Sequence, residues 1–186
     1  YKERYDNKIK EIEKIDKELE EEIQKATENN SELSDAQEQI KVGNKILGLS
    51  EVKGPGVTIT VKDSDVDAST LIDSSNFLVH DKDILNIVNE LKNAGAEAIS
   101  INDQRIIPTT SINCAGNITR VNGEIVGTPF VIKAVGGSFD TLERPGGYID
   151  WLREDYGIDI TVKKQSNVTV EKYNGVINFK YAQEAE

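Results

Sequence analysis

One cysteine and one histidine occur in 186 residues, and that shortage settles two matters. Cys114 has no intrachain partner, so no disulfide framework holds the fold, and Cys114 with His80 cannot supply a structural Cys/His zinc site. A single thiol fits a reduced cytoplasm and equally an exported protein that avoids cysteine, so the redox compartment stays open. Aromatic residues make up 6% and the mean hydropathy is −0.47, so part of the chain stays outside any core. No segment approaches the ~20 apolar residues of a bilayer-spanning helix. Cations are in deficit: 22 Lys and Arg against 33 Asp and Glu leave a net charge of −11. Neutralising nucleic-acid phosphates or an anionic lipid surface takes clustered Lys and Arg, so neither is expected as the main partner. Phosphate-cradling loops are missing too. Gly54-Pro55-Gly56 and Gly136-Gly137 fit neither the P-loop nor the dinucleotide-binding spacing, and no G-x-S-x-G elbow is present.

What is present divides at about Leu49. Before it, every seventh residue from Tyr5 is Tyr5, Ile12, Leu19, Ala26, Leu33, Ile40 and Leu47, one register kept throughout. The second seam row is weaker: Ile9 and Ile23 share one offset, Ile15 and Ala36 the next, and Asp16, Asn29, Asn30 and Gln37 interrupt it. The spacing predicts a coiled-coil helix over residues 1–49, roughly 65 Å long at ~1.5 Å per residue. Its Glu and Lys side chains read as a solvated face. A long one-sided apolar stripe needs covering. The seam Ile12, Leu19, Ala26, Leu33 and Ile40 therefore predicts a homo-oligomer or a second coiled-coil partner. The chain starts at Tyr1 inside this pattern and reads as continuing an upstream segment.

Gly48 and Gly54-Pro55-Gly56 end the helical pattern, and a globular domain is expected over residues 54–181. Alternation predicts a strand over 57–61, followed by an acidic, Ser-rich loop from Asp63 to Asn76. Asp81 reads as the N-cap of a helix with Ile84, Leu85, Val88 and Leu91 on one face, stopped by Gly95. Strands follow at 96–101 and, past a turn, at 105–107. Strands at 114–121 and 124–126 flank Asn122-Gly123, a dipeptide suited to a tight hairpin. After a strand at 129–135, a short helix before Pro145 and a longer one over 148–156 are expected, the latter stopped by Gly157. Strands at 158–162, 168–173 and 176–181 complete the reading. Two strand–helix–strand halves around an antiparallel centre predict an α+β, ferredoxin-like sandwich with an added C-terminal hairpin.

Three groups carry candidate chemistry. Asp63-Ser64-Asp65-Val66-Asp67 has the alternate carboxylates of a calcium loop, but Ala68 replaces the required Gly and Ser74 the closing Glu, so no metal site is expected. His80-Asp81-x-Asp83 suits a helix N-terminus, and a His80/Cys114 dyad would need the two within hydrogen-bond reach. Cys114 itself reads as a small core residue, and Trp151 with Tyr148, Leu152 and Tyr156 as core at helical spacing. Asn102, Gln104, Arg105 and Thr110, with Asp103 and Thr109, form the densest polar group. They allow either a pocket in which Arg105 forks onto a small anionic ligand, or a turn whose side chains satisfy its own backbone.

Several of these stretches also resemble a known family. Gly54-Pro55-Gly56-Val57, Leu78-Val79-His80-Asp81-x-Asp83-Ile84-Leu85, and Asn89-Glu90-Leu91-x-x-Ala94-Gly95-Ala96-Glu97-Ala98-Ile99-Ser100-Ile101-Asn102 with Gln104-Arg105-Ile106 are similar to the bacterial domain of unknown function 881 family. Cys114-x-Gly116, Val121-Asn122-Gly123 and Pro129 to Gly136 extend the likeness, which covers about Gly54 to Tyr173. Members are sometimes labelled division initiation proteins. The resemblance implies a membrane helix upstream, a coiled coil, and a globular domain outside the cell membrane, with no established reaction. Envelope or division proteins are the partners it implies. Asp103 stands where the family often has Gly, which puts the turn before Gln104 in question.

The sequence thus leads to a non-enzymatic, single-pass scaffold or interaction protein without cofactor or metal. The alternative is a small anionic-ligand sensor with its pocket at Arg105.

Overall fold

The computed structural model describes residues 2–27, 31–65, 77–115, 118–183 and 185. They form two compact units, Tyr1–Asn44 and Lys45–Glu186. The first holds helix α1 (Lys2–Thr27) and all but the last two residues of α2, which begins at Ser31 and runs to Ile46. Two helices thus replace the single helix expected over 1–49. Residues ten apart on one straight helix lie ~15 Å apart along its axis, yet Thr27 Oγ1 is 3.1 Å from Gln37 Oε1, so α2 departs from the axis of α1. Thr27 also donates to the carbonyls of Ile23 and Gln24 one turn back, the local bonding by which Thr competes with the helix ladder. Among the described residues no helix is long and apolar enough to cross a membrane.

The second unit is α+β with antiparallel sheets. In chain order it comprises β1 (Val52–Lys62), α3 (Asp81–Asn93), β2 (Ala98–Ile101), β3 (Gln104–Arg105), β4 (Ile112–Ala115), β5 (Ile118–Val121), β6 (Glu124–Val126), β7 (Phe130–Val135), α4 (Tyr148–Tyr156) and β8 (Asp159–Val170). Five strands form one sheet in the order β3-β2-β7-β1-β8, and β4-β5-β6 form a second. Val57, Ile59 and Val61 alternate along β1 and point at the helices, and pairing places Ile132 and Ala134 beside Ile59 and Val57. From α3 come Ile84, Ile87, Val88 and Leu91, and from α4 Ile149 and Leu152, all buried in the same core. Burying one such aliphatic side chain stabilises the fold by about 1.5–3 kcal/mol.

Several local expectations are corrected. The buried stripe of α3 uses Ile87, not Leu85, because 84, 87, 88 and 91 follow the helical period while Leu85 turns outward. His80 rather than Asp81 is the N-cap. Trp151 is 41% exposed, since Ile149 and Leu152 fill the inward stripe of a short helix; its ring packs edge-on against Tyr156 at 4.7 Å. Only turns occupy residues 139–147, with Arg144 N–H on the Thr141 carbonyl and Gly147 N–H on that of Arg144.

Strand β1 starts at Val52 and takes in Gly54-Pro55-Gly56, with a register shift against β8 between Gly54 and Gly56 that accommodates the missing N–H of Pro55. The strands expected at 158–162 and 168–173 are one strand, because polar Lys163, Lys164 and Gln165 pair with Thr58, Val57 and Gly56. No strand occupies 176–181, so the C-terminal hairpin is absent. Asn122 and Gly123 adopt φ 56° and 85° and close the β5–β6 hairpin; Gly157, at φ 63°, ends α4. The calcium-loop pattern and most of the acidic loop from Asp63 to Asn76 lie outside the described residues.

Candidate functional site

The polar group after β2 begins with a tight turn. Asn102 and Asp103 have φ 45° and 63°, a left-handed pair that Asn and Asp tolerate at least cost among residues with a Cβ, so Asp103 makes the turn without glycine. The turn pairs Ile101 with Gln104 and Ser100 with Arg105. Asn102 faces the protein: its Oδ1 accepts the Val131 N–H at 2.7 Å, and its Nδ2 donates to the carbonyls of Gly127 and Pro129, each at 3.3 Å. Asp103 pairs with Lys133 at 2.7 Å. Thr110 Oγ1 accepts the Ile107 N–H at 2.8 Å and closes the following loop. Gln104 is half-buried on β3.

Arg105 is 3% exposed. Its Nη1 donates to the Ser50 carbonyl at 3.0 Å and to the Glu171 carbonyl at 3.2 Å. Those two residues flank the last rung of the β1–β8 ladder, Val52 with Val170. β3 is one edge of the sheet and β8 the other, so a single guanidinium ties the end of one edge to the other. Val52, Val168 and Val170 pack on Ala98 and Val135, covering that end of the sheet face away from the helices. Burial lowers the pKa of Arg105, which remains charged. Beside it the Glu171 carboxyl is pushed up by its hydrogen bond with that of Glu51.

Glycines make this closure sterically possible. A Cβ on Gly56 would stand 2.1 Å from the Ala134 carbonyl oxygen, and one on Gly48, at φ +77°, would stand 2.8 Å from Ile107. The Gly48 carbonyl accepts the Tyr173 N–H at 2.8 Å.

Thr110 lies beside Arg105, its Oγ1 3.5 Å from the Arg105 carbonyl, while Asn102 serves the backbone around β7; Arg105 Nε is buried without a hydrogen-bond partner. Both Nη1 hydrogens are spent on carbonyls, an arrangement that holds chain segments in place.

A second hub lies at the start of α3. Asp83, 6% exposed, accepts the His80 N–H at 2.8 Å and the Tyr148 hydroxyl at 2.8 Å. Burial, reinforced by Asp83, pushes the Tyr148 phenol up to about 12. Asp81 accepts the backbone N–H of Cys114 at 2.8 Å, which holds its carboxyl below the usual range. Cys114 is exposed rather than a core residue, and its Sγ lies 3.8 Å from Thr119 Oγ1. Sequence reasoning missed Ser50 and Glu171, and read Gly48 only as a helix end and Tyr148 only as core. Only Tyr148 had a signal, since an acid at the third helical position commonly bonds at the N-cap and leaves a second oxygen for a neighbour. Among the described residues no three His, Cys, Asp or Glu group to hold a metal ion.

These features define an α+β domain with antiparallel sheets, preceded by helices. The chain belongs to the family described as bacterial protein of unknown function (DUF881), whose model matches residues 27–183 and so takes in α2 as well as the globular unit. It is 33% identical over 131 residues to UPF0749 protein YlxW of Bacillus subtilis, covering 67% of this chain and 54% of that protein. It is 35% identical over 123 residues to UPF0749 protein MT1871 of Mycobacterium tuberculosis, covering 60% and 40%. The chain spans about half the length of the curated relatives it matches. A crystal structure of an uncharacterized conserved protein from Mycobacterium tuberculosis aligns with a TM-score of 0.62 and 25% identity, over 79% of this chain and 99% of that one.

Proposed function

We propose that this chain is a non-enzymatic interaction protein: its helical segment self-associates and its globular unit contacts a protein partner. One observation carries the reading. Ile12 (55%) and Leu19 (55%), one heptad apart on α1, and Leu33 (47%) and Ile40 (63%), one heptad apart on α2, are all exposed in the single chain. Covering such apolar surface stabilises by roughly 25 cal/mol per Å² removed from water, and a like helix face on a second chain supplies the cover. Anchoring by an upstream membrane helix, a place outside the membrane, and work in division or envelope assembly follow from the family resemblance. The strand order β2-β7-β1-β8, with α3 and α4 as the crossovers, supports a ferredoxin-like core.

Sedimentation of the full chain across concentrations tests the self-association; a monomer at high concentration removes it. Crosslinked capture in cells, comparing the whole protein with a version lacking the residues before Gly54, tests the partner role.

A further inference from the structure

We infer that the outward face of α4, where Trp151 stands between Glu154 and Asp155, docks a basic segment of a partner protein that lays an arginine on the indole; the inference rests on the partner role proposed above. Ile149 and Leu152 turn inward to the core, so residues 150, 151, 154 and 155 share the outer side of the helix. Trp151 is 41% exposed there. Its ring is held by Tyr148 at 5.6 Å, tilted by 39°, and by Tyr156 at 4.7 Å, nearly perpendicular at 81°. A large ring that is partly open yet pinned loses little freedom when a partner covers it.

The charge around the ring names the occupant. Glu154 and Asp155, three and four residues on from Trp151, flank it on the helix surface and are exposed. Both lie in the last turn of α4, where the carbonyl end of a helix disfavours anions. The two arginines of this segment are engaged elsewhere, Arg153 with Glu143 and the Ile160 carbonyl, Arg144 with Glu90. Among the described residues no cation pairs with Glu154 or Asp155. Two carboxylates set against the helix dipole on either side of an open indole lack only a cation. A guanidinium answers both parts, being flat for the ring and forked for a carboxylate. A lysine ammonium is a point charge without that plane, and a saccharide or an acyl chain leaves the carboxylates unanswered. Trp and Arg are also both enriched where interface binding energy concentrates.

Trp151 is the single tryptophan of the chain, so its fluorescence reports on this face alone. The test titrates the full chain with a decapeptide of alternating Arg and Ser, and with its Lys counterpart. Three proteins are compared: wild type, Glu154→Gln/Asp155→Asn on α4, and Glu21→Gln/Glu22→Gln on α1, which makes the same change in charge elsewhere. We expect a saturable shift with the Arg peptide, binding about 10-fold weaker in the α4 variant and unchanged in the α1 variant, and weaker binding of the Lys peptide. The α4 variant keeps or raises the wild-type melting temperature, because it removes anions from the C-terminal end of a helix. Absence of a saturable shift overturns the inference. So does equal loss in the two variants, which is what diffuse attraction to a chain of charge −11 gives. A Lys peptide bound as tightly as the Arg peptide overturns the stacked arginine. Crosslinked capture in cells separates this inference from the reading beneath it. Capture that fails for the wild type removes the partner role itself, whereas capture equal in wild type and α4 variant leaves that role standing and removes this surface.

Discussion

The phenol of Tyr148, at the start of α4, donates to the carboxylate of Asp83 in the first turn of α3 across 2.8 Å, and the other oxygen of that carboxylate receives the His80 N–H. One buried acid thereby fixes how both helices begin.

Tyr148→Phe keeps the ring and removes this bond, so it should cost about 1.5–3 kcal/mol, as loss of a hydrogen bond to a charged group does. The pH dependence has a definite sign. With its pKa raised to about 12 by burial, Tyr148 contributes stability that is complete below the ordinary tyrosine value near 10 and is lost as pH rises towards 12. Urea titrations from pH 9 to 12 should show a steeper alkaline loss in the wild type than in Tyr148→Phe.

Arg105→Lys retains the charge but not the reach. It should lose about 2–4 kcal/mol, because both carbonyls accept from the terminal nitrogen Nη1 and the lysine ammonium, one atom nearer the backbone, leaves a buried charge short of the Ser50 and Glu171 carbonyls. Chemical denaturation of the full chain measures this, and a loss below about 0.5 kcal/mol, the level of ordinary surface substitutions, would show the tie to be incidental.

Two glycine substitutions should separate sharply. Gly56→Ala drives a methyl to 2.1 Å from the Ala134 oxygen across the β1–β7 pairing, which should cost about 3 kcal/mol or more or prevent folding. Gly127→Ala meets nothing within 4 Å and should lie within about 0.5 kcal/mol of wild type. Melting temperatures of the pair are the readout.

Asp81→Asn should act in the opposite pH range from Tyr148→Phe. Hydrogen bonding to Cys114 holds the Asp81 carboxyl below its ordinary value, so its contribution is present above about pH 4 and is lost as pH falls through the lowered value. The variant should be less stable than wild type at pH 7, and the gap should close in acid.

What was legible in the sequence was local. The Asn122-Gly123 hairpin, the stop at Gly157 and three of the four inward positions of α3 each follow from spacing or from a backbone angle that few residues adopt. What was not legible depends on distant partners. The acceptors of Arg105 lie 55 and 66 residues away and are backbone carbonyls, which carry no side-chain signature. Lys163 to Gln165 look like a loop until β1 pairs with them, and 176–181 look like a hairpin strand although their own chain gives them no partner. Cys114 looked apolar by residue type, whereas its place on the small three-stranded sheet leaves it open to solvent.

Ser50 and Glu171, which flank the Val52–Val170 end of the β1–β8 ladder, sit side by side under one cation. A pull between the helical segment and the C-terminus therefore peels β1 from β8 one rung at a time, starting at the end where they meet. Before the first rung opens it has to break the clasp of Arg105, which makes this buried charge the mechanical lock of the domain.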